Sequence, residues 1–255
     1  MKAYCLGSSS SGNCYLIEFK NKVKIMVECG LPYKTMLSRS AGFNINPAEY
    51  DLVFITHSHN DHCCCYHDLA TRNYKLYMSE ETASKLGSGT ILQTYKCNQI
   101  NGVDLKVITF PVEHDCDGAV GFIFKAEDET ILFINDFKSF DTDIKGIKFD
   151  YVFIECNYYH TMVYAQYNKK LKEYNSGNTN GTLKAELKHY ERVIKVHSSL
   201  ATTIRALRSL DLEKCKAIFL MHLSEHNSAP LIMVDTIRKE FNKKVYLCLK
   251  NGGIR

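Results

Sequence analysis

Short apolar runs separated by polar punctuation dominate the first half of the chain. Residues 2–6, 14–19 and 23–29 read as three strands, broken by Gly7-Ser8-Ser9-Ser10-Ser11-Gly12-Asn13 and by Asn21-Lys22. The same pattern predicts strands over 52–55, 75–78, 105–110, 119–126, 130–134, 151–155 and 217–221, with a hairpin turning through Glu127-Asp128-Glu129. Helices are expected over 66–73 and 80–87. A longer helical pattern covers 187–210 and is interrupted at Val196-His197-Ser198-Ser199-Leu200. Residues 161–182 mix Tyr, Lys, Asn and Gly without a period, so an insertion is expected at about 158–183, as a long functional or mobile loop. Strands alternating with helices make this an α/β chain.

The apolar residues Leu52-Val53-Phe54-Ile55 run straight into His57-x-His59-x-Asp61-His62. Neutral imidazole and carboxylate are the donors that suit zinc and similar divalent ions, and this run is too dense in them for a merely solvated turn. Histidines spaced i, i+2 at a strand end can point the same way and share one ion. The adjacent Asp61-His62 pair is then turned towards a second, so a dinuclear site is expected. His114 also leaves a strand end, and it supplies the third nitrogen that His57 and His59 need.

His-x-His-x-Asp-His after an apolar strand resembles the signature of the metallo-β-lactamase fold superfamily. That resemblance implies a four-layer αβ/βα sandwich with a metal pair at one edge. Asp136, after the apolar run 130–134, matches the superfamily's metal-bridging aspartate, and His222, after 217–221, resembles the last ligand of the second metal. The implied set is His57, His59 and His114 on one ion, Asp61, His62 and His222 on the other, and Asp136 on both. Zinc is the expected metal, and manganese, cobalt or iron would accept the same donors.

The opening Gly7-Ser8 through Gly12-Asn13-Cys14-Tyr15-Leu16-Ile17, followed by Glu28-Cys29-Gly30-Leu31-Pro32, resembles the YycJ-like branch, whose members usually carry Asp where this chain has Glu28. The Gly/Ser loop lacks the Gly-Lys-Ser/Thr of a phosphate-binding P-loop, so it is read first as a tight loop. Resemblance to the branch makes Glu155 and Asn157 candidates for the edge of the site. It also places His197, with Ser198, against a phosphate. Asp115 is read as solvated or as a support for a ligand, and His226 as solvated or supporting.

Composition narrows the picture further. The 255 residues are 45% hydrophobic with no Pro/Gly/Ser-rich linker, so a single domain spanning 1–255 is expected. The N-terminal residues lack a secretory signal and no stretch approaches a membrane span, so a cytoplasmic protein with no membrane partner is expected. Eleven cysteines, an odd number scattered through strand-like segments, point to reduced thiols. Cys63-Cys64-Cys65 reads as a helix start, because consecutive cysteines cannot all face one ion. The net charge of +4 admits an anionic substrate without requiring nucleic acid.

A water shared by two cations would have its pKa drawn towards neutrality, and the same cations would steady the charge built up in displacement at phosphorus. Phosphodiester hydrolysis uses both abilities, with Asp61 and His197 as the catalytic side chains and His197, Ser198, Asn157 and Tyr158 as substrate contacts. Compact phage-borne relatives resemble anti-Pycsar enzymes, which hydrolyse 3′,5′-cyclic nucleotides to 5′-monophosphates. With a mild charge and no appended domain to grip a polymer, this chain is expected to act on a cyclic nucleotide. A YycJ-like 5′-3′ single-strand DNA exonuclease is the alternative, and a silent nucleotide-binding sponge is a third reading. A homodimer is expected, with the Tyr158-Tyr159 region or the insertion stacking on a base.

Overall fold

The computed structural model describes residues 1–140, 144 and 146–255. Its apolar runs pair into two sheets. The first has the order β1 (Lys2–Gly7), β2 (Cys14–Glu18), β3 (Lys24–Val27), β4 (Leu52–Phe54), β5 (Lys75–Met78) and β6 (Thr90–Ile91). Its first three strands form an antiparallel meander, and β3 to β6 run parallel. The second has the order β7 (Cys97–Gln99), β8 (Lys106–Pro111), β9 (Val120–Ala126), β10 (Glu129–Ile134), β11 (Tyr151–Glu155), β12 (Ala217–Met221) and β13 (Lys244–Leu247). Here β7 to β10 are antiparallel and β10 to β13 parallel. Register sets Val27 opposite Phe54, Ile134 opposite Ile154 and Glu155 opposite Met221, so neighbouring parallel strands end level with one another.

Alternation along the strands sends one set of side chains between the sheets. Tyr15, Ile17, Val27 and Phe54 from the first sheet meet Phe122, Phe124, Phe133 and Phe219 from the second in one buried cluster. The opposite faces are covered by helices. Met26, Val53 and Met78 pack against α1 (Tyr33–Gly42), through Met36, and α3 (Tyr66–Ala70), through Leu69. Leu132, Ile154 and Leu220 pack against α7 (Leu200–Arg208) and α8 (Pro230–Phe241) through Leu200, Leu207, Met233 and Ile237. The result is helix, sheet, sheet, helix: the four-layer αβ/βα sandwich.

The segment expected to be a loop is helical instead. It holds α5 (His160–Asn175) and the start of α6 (Gly181–Val196), after the remaining helices α2 (Asn60–Cys63) and α4 (Glu80–Leu86) in chain order. No apolar period shows in α5 because it buries only Val163. The two helices lean on each other rather than on a sheet. Asn180 caps α6 by accepting from the Leu183 amide at 2.8 Å.

The cysteine triplet is not a helix start. Cys63 closes α2, Cys65 precedes α3, and both lie in the core beneath the first sheet. The apolar pattern left α1, α8 and β13 unassigned. Only Met36 and Ser40 of α1 are buried, and exposed Leu231 and Ile232 blur the stripe of α8.

The Gly/Ser loop and the residues after β3 lock onto the metal-motif segment through backbone. The Asn13 amide donates to Asp61 O at 2.8 Å, the Cys29 amide to His62 O at 2.8 Å, and the Gly30 amide to Asn13 O at 2.9 Å. Gly30 lies so close that a Cβ there would stand 1.7 Å from the Asp61 carbonyl oxygen. Gly30→Ala must therefore push α2 away, and we expect about 1–3 kcal/mol of destabilisation together with weakened metal binding. A urea midpoint and metal content equal to those of the unaltered protein would contradict this packing.

Candidate metal centre

Every side chain of the centre leaves the carboxyl end of a strand, the usual location of sites in open α/β sheets. His57, His59, Asp61 and His62 follow β4, His114 follows β8, Asp136 follows β10, Glu155 closes β11, and His222 follows β12. Three of the contributors adopt left-handed backbone: Glu28 at φ 65°, Asp136 at φ 45° and His222 at φ 53°. This conformation is unfavourable for a residue with a Cβ, by about 1–3 kcal/mol each. It turns the chain at once at the strand end and aims each side chain at the others.

Three sets of ligand atoms result. His57, His59 and His114 form the first, Asp61, His62, Asp136 and His222 the second, and Asp136, Glu155, His197 and His222 a third that overlaps the second. His57 Nε2 lies 3.0 Å from His59 Nδ1, and His114 Nε2 lies 3.1 Å from the same atom. Donors placed tetrahedrally at zinc–nitrogen distance are separated by about 3.3 Å, so three imidazoles in this arrangement fit one cation. Asp136 Oδ2 stands between the first two sets, 3.4 Å from His62 Nε2 and 3.7 Å from His114 Nε2. Among the described residues Asp136 Oδ1 has no hydrogen-bond partner, although it is buried with His222 Nδ1 3.4 Å away. A carboxylate oxygen left so is costly unless a cation meets it.

The outward ring nitrogens are held in place, as metal-ligating histidines generally require. Thr56 Oγ1 lies 2.9 Å from His57 Nδ1 and itself donates to Glu28 Oε1 at 2.5 Å. Glu28 Oε1 is also 3.2 Å from His62 Nδ1. Val196 O faces His114 Nδ1 at 3.3 Å. With Nδ1 of His57 and His114 occupied, and that of His62 facing the Glu28 carboxylate without a hydrogen bond, the Nε2 atoms of these three rings are the ones left to bind an ion. Glu28 thus lies directly against His62 and is linked to His57 through Thr56.

The expected substrate contacts divide differently. His197 Nδ1 is 2.7 Å from Glu155 Oε1, and His197 Nδ1 is 3.8 Å from Asp136 Oδ2, so it sits at the rim of the second set. Ser198 is fully buried; its amide donates to Glu155 Oε2 at 3.0 Å and its hydroxyl to Phe137 O. Asn157 Nδ2 donates to His222 O at 2.8 Å. Tyr158 is 2% exposed and packs with Val163 and Val193 under the α5–α6 pair. Ser198, Asn157 and Tyr158 are thus buried in the frame of the centre; of the four, His197 and Asn157 reach the ligand sets, Asn157 Nδ2 lying 3.0 Å from His222 Nδ1. His226 is exposed, and the Asp115 carboxylate lies 3.2 Å from His114 Nε2 while pairing with Arg192.

Sequence reasoning underrated the buried supports. Ser8 Oγ accepts from the His222 amide at 2.8 Å, and Asn13 Nδ2 donates to Asp61 O at 3.2 Å. Glu155 gathers His197, Ser198 and the Phe137 amide on one carboxylate. A polar residue ending an apolar strand was the available signal for Glu155, whereas nothing local marks Ser8.

A family model described as a beta-lactamase superfamily domain matches residues 34–223. The chain belongs to that superfamily. It is a metal-dependent hydrolase of metallo-β-lactamase fold. Among curated proteins it is similar to the exodeoxyribonuclease WalJ of Streptococcus pneumoniae, 29% identical over 143 residues, covering 51% of this chain and 52% of WalJ. The chain thus spans about half the length of the curated relatives it matches. Among solved structures, the metallo-beta-lactamase fold protein YhfI from Bacillus subtilis has a TM-score of 0.70 at 14% identity, covering 99% of this chain and 98% of that one. Zn(2+)-bound PqqB from Methylobacterium extorquens has a TM-score of 0.66 at 12% identity, covering 100% and 99%. Among the described residues no helix is long and apolar enough to cross a membrane.

The superfamily centre in this chain is electrostatically asymmetric. Burial, together with neighbouring histidines, lowers the pKa of His57, His59 and His114, so these imidazoles are neutral and ready to ligate at neutral pH. In the second set burial opposes charge on His222, but Asp136, Asp61 and Glu155 outweigh it and raise its pKa to about 10. Burial likewise opposes charge on His62, and Asp136 and Glu28 raise its pKa well above the usual imidazole range. The carboxylates require positive charge here, either as protons on these two rings or as a metal ion in their place.

Metal loading must therefore displace protons. Titrating ion-free protein with Zn2+ at pH 7, in buffers of different ionisation enthalpy, is expected to release on the order of two protons, and the second ion should bind more tightly as pH rises from 6 to 8. Calorimetry showing no proton release would mean that His62 and His222 do not ligate.

Proposed function

We propose that this protein is a dinuclear-metal phosphodiesterase that shortens single-stranded DNA. The convergence of His57, His59, His114, Asp61, His62, His222 and Asp136 into adjoining ligand sets carries the hydrolytic part of this reading. Similarity to WalJ, an exodeoxyribonuclease, supports the substrate. Zinc suits the imidazole-rich first set, with manganese as the other metal to try.

Divalent ions held by these ligands supply an activated water and charge stabilisation at phosphorus. The chain's own contribution is orientation and proton handling. Burial opposes charge on Glu155, but His197 lowers its pKa, so this carboxylate stays ionised against His197 Nδ1. That contact keeps the proton on Nδ1 and leaves Nε2 to hydrogen-bond a phosphoryl or leaving-group oxygen. His197 is then the proton-handling side chain, and Glu155 positions it.

Hydrolysis of 3′,5′-cyclic nucleotides is the second reading, favoured by the even charge balance of the chain outside residues 160–196. Self-association belongs with the same proposal. Leu231 and Ile232, 73% and 51% exposed at the start of α8, offer an apolar patch for a second copy, which sedimentation equilibrium would detect.

Zinc- or manganese-loaded protein should release nucleotides from labelled single-stranded DNA. Monophosphate formed from cyclic CMP, UMP or AMP with the DNA untouched would promote the second reading, and recovery of every substrate intact would reduce the protein to a binder. His197→Ala should lower kcat by about 10²- to 10⁴-fold with the metals retained. Undiminished turnover by that variant would remove His197 from the reaction.

A further inference from the structure

The charge of this chain is unevenly spread. Between residues 160 and 196, seven Lys/Arg face three Asp/Glu, an excess of four that equals the net charge of the whole protein, so all other residues together are neutral. The α5–α6 pair is therefore a cationic appendage on a balanced body. Within it, Lys184, Lys188, Arg192 and Lys195 follow the i, i+4, i+8, i+11 spacing that places them on one face of α6. All four are exposed.

This row works against the helix that carries it. Like charges four residues apart destabilise a helix, and the first turn of α6 has no acidic residue to meet its dipole while Lys184 adds a positive charge near it. Among the described residues, no carboxylate lies within 4 Å of Lys184, Lys188 or Lys195; the ion pairs of the two helices are Lys170 with Glu186 and Arg192 with Asp115. A polyanion would offset the repulsion.

The row also has a direction. Arg192 Nε donates to Asp115 Oδ2 at 2.8 Å, and Asp115 Oδ1 is 3.8 Å from His59 Nε2 and 3.2 Å from His114 Nε2. One end of the stripe therefore rests on the rim of the first ligand set. From Arg192, Lys188 and Lys184 lead away along the helix, and the stripe from Lys184 to Lys195 covers about 16 Å at the α-helical rise.

We propose that this face of α6 is a track for single-stranded nucleic acid, binding its phosphates and leading one end of the strand to the metal centre. The inference rests on the DNA reading above. A membrane surface is the poorer fit, because a helix lying in a bilayer interface presents large apolar side chains beside its basic ones. Here Leu183, Leu187, Val193 and Val196 are buried against the protein, and α6 exposes no large hydrophobic residue.

The test uses the full chain with its metals and a fluorescein-labelled single-stranded 20-mer, read by anisotropy over a range of salt concentrations. Lys184→Ala/Lys188→Ala should bind on the order of 10-fold more weakly at 0.1 M salt, with a salt slope shallower by about 1.4. Bis(p-nitrophenyl) phosphate is too small to span α6, and its turnover should be unchanged, showing that the centre is intact.

An unaltered affinity and slope in the double variant would overturn the track, as would a wild-type protein that binds no strand at low salt. Lysine-dependent binding to phosphatidylglycerol vesicles in place of the strand would overturn it in favour of a lipid surface. Lysine-dependent strand binding without strand cleavage would uphold the track and sink only the DNA hydrolysis reading.

Discussion

Carboxylates concentrated at the meeting of two sheets impose the central constraint on this molecule. Glu28, Asp136 and Glu155 are almost wholly buried, and Asp61 joins them from the rim. Buried anions are tolerated only when cations and hydrogen bonds surround them. Histidines come in from three strand ends, and His197 from the end of α6, to provide that surround, which divalent metal ions would complete. Glu28 is fixed by Thr56, and Glu155 by three donors, so the carboxylates are as much the scaffold of the centre as its charge.

Geometry at this point depends on backbone that most residues avoid. Glu28, Asp136 and His222 sit in left-handed conformation immediately after strands whose registers are fixed on both sides. The sheets over-determine where each strand ends, and the aromatic packing between them resists any slip. The strain is local, and the cohesion that sustains it is spread through the sandwich. Such a division suits a hydrolase, because the ligand sets stay in place.

The first ligand set is bordered by an element of different character. The α5–α6 pair has a small core of its own and carries the protein's whole excess of positive charge, yet it touches the centre through Arg192, Val196 and the residues that follow. On the proposed reading, charge on the appendage and neutrality in the body would divide the work between gripping an anionic substrate and cutting it. The net charge of +4 averages these two regions together.

Much of the centre is legible along the chain. Dense ligands after an apolar run mark His57, His59, Asp61 and His62, and single polar residues closing apolar strands mark His114, Asp136, Glu155 and His222. Strand alternation likewise exposes most of both sheets, since a period of two survives in the sequence whatever lies opposite. The helical nature of 160–180 was hidden, because a helix that buries one residue leaves no apolar period to find. Tertiary structure alone decided that Ser198, Asn157 and Tyr158 are buried beside the site, that Ser8 and Asn13 back it, and that Glu28 lies against His62 and, through Thr56, is linked to His57. Each of those roles is a contact between distant segments, and hydrogen bonds across 42 or 214 positions, as between His197 and Glu155 or between His222 and Ser8, have no local trace in the order of residues.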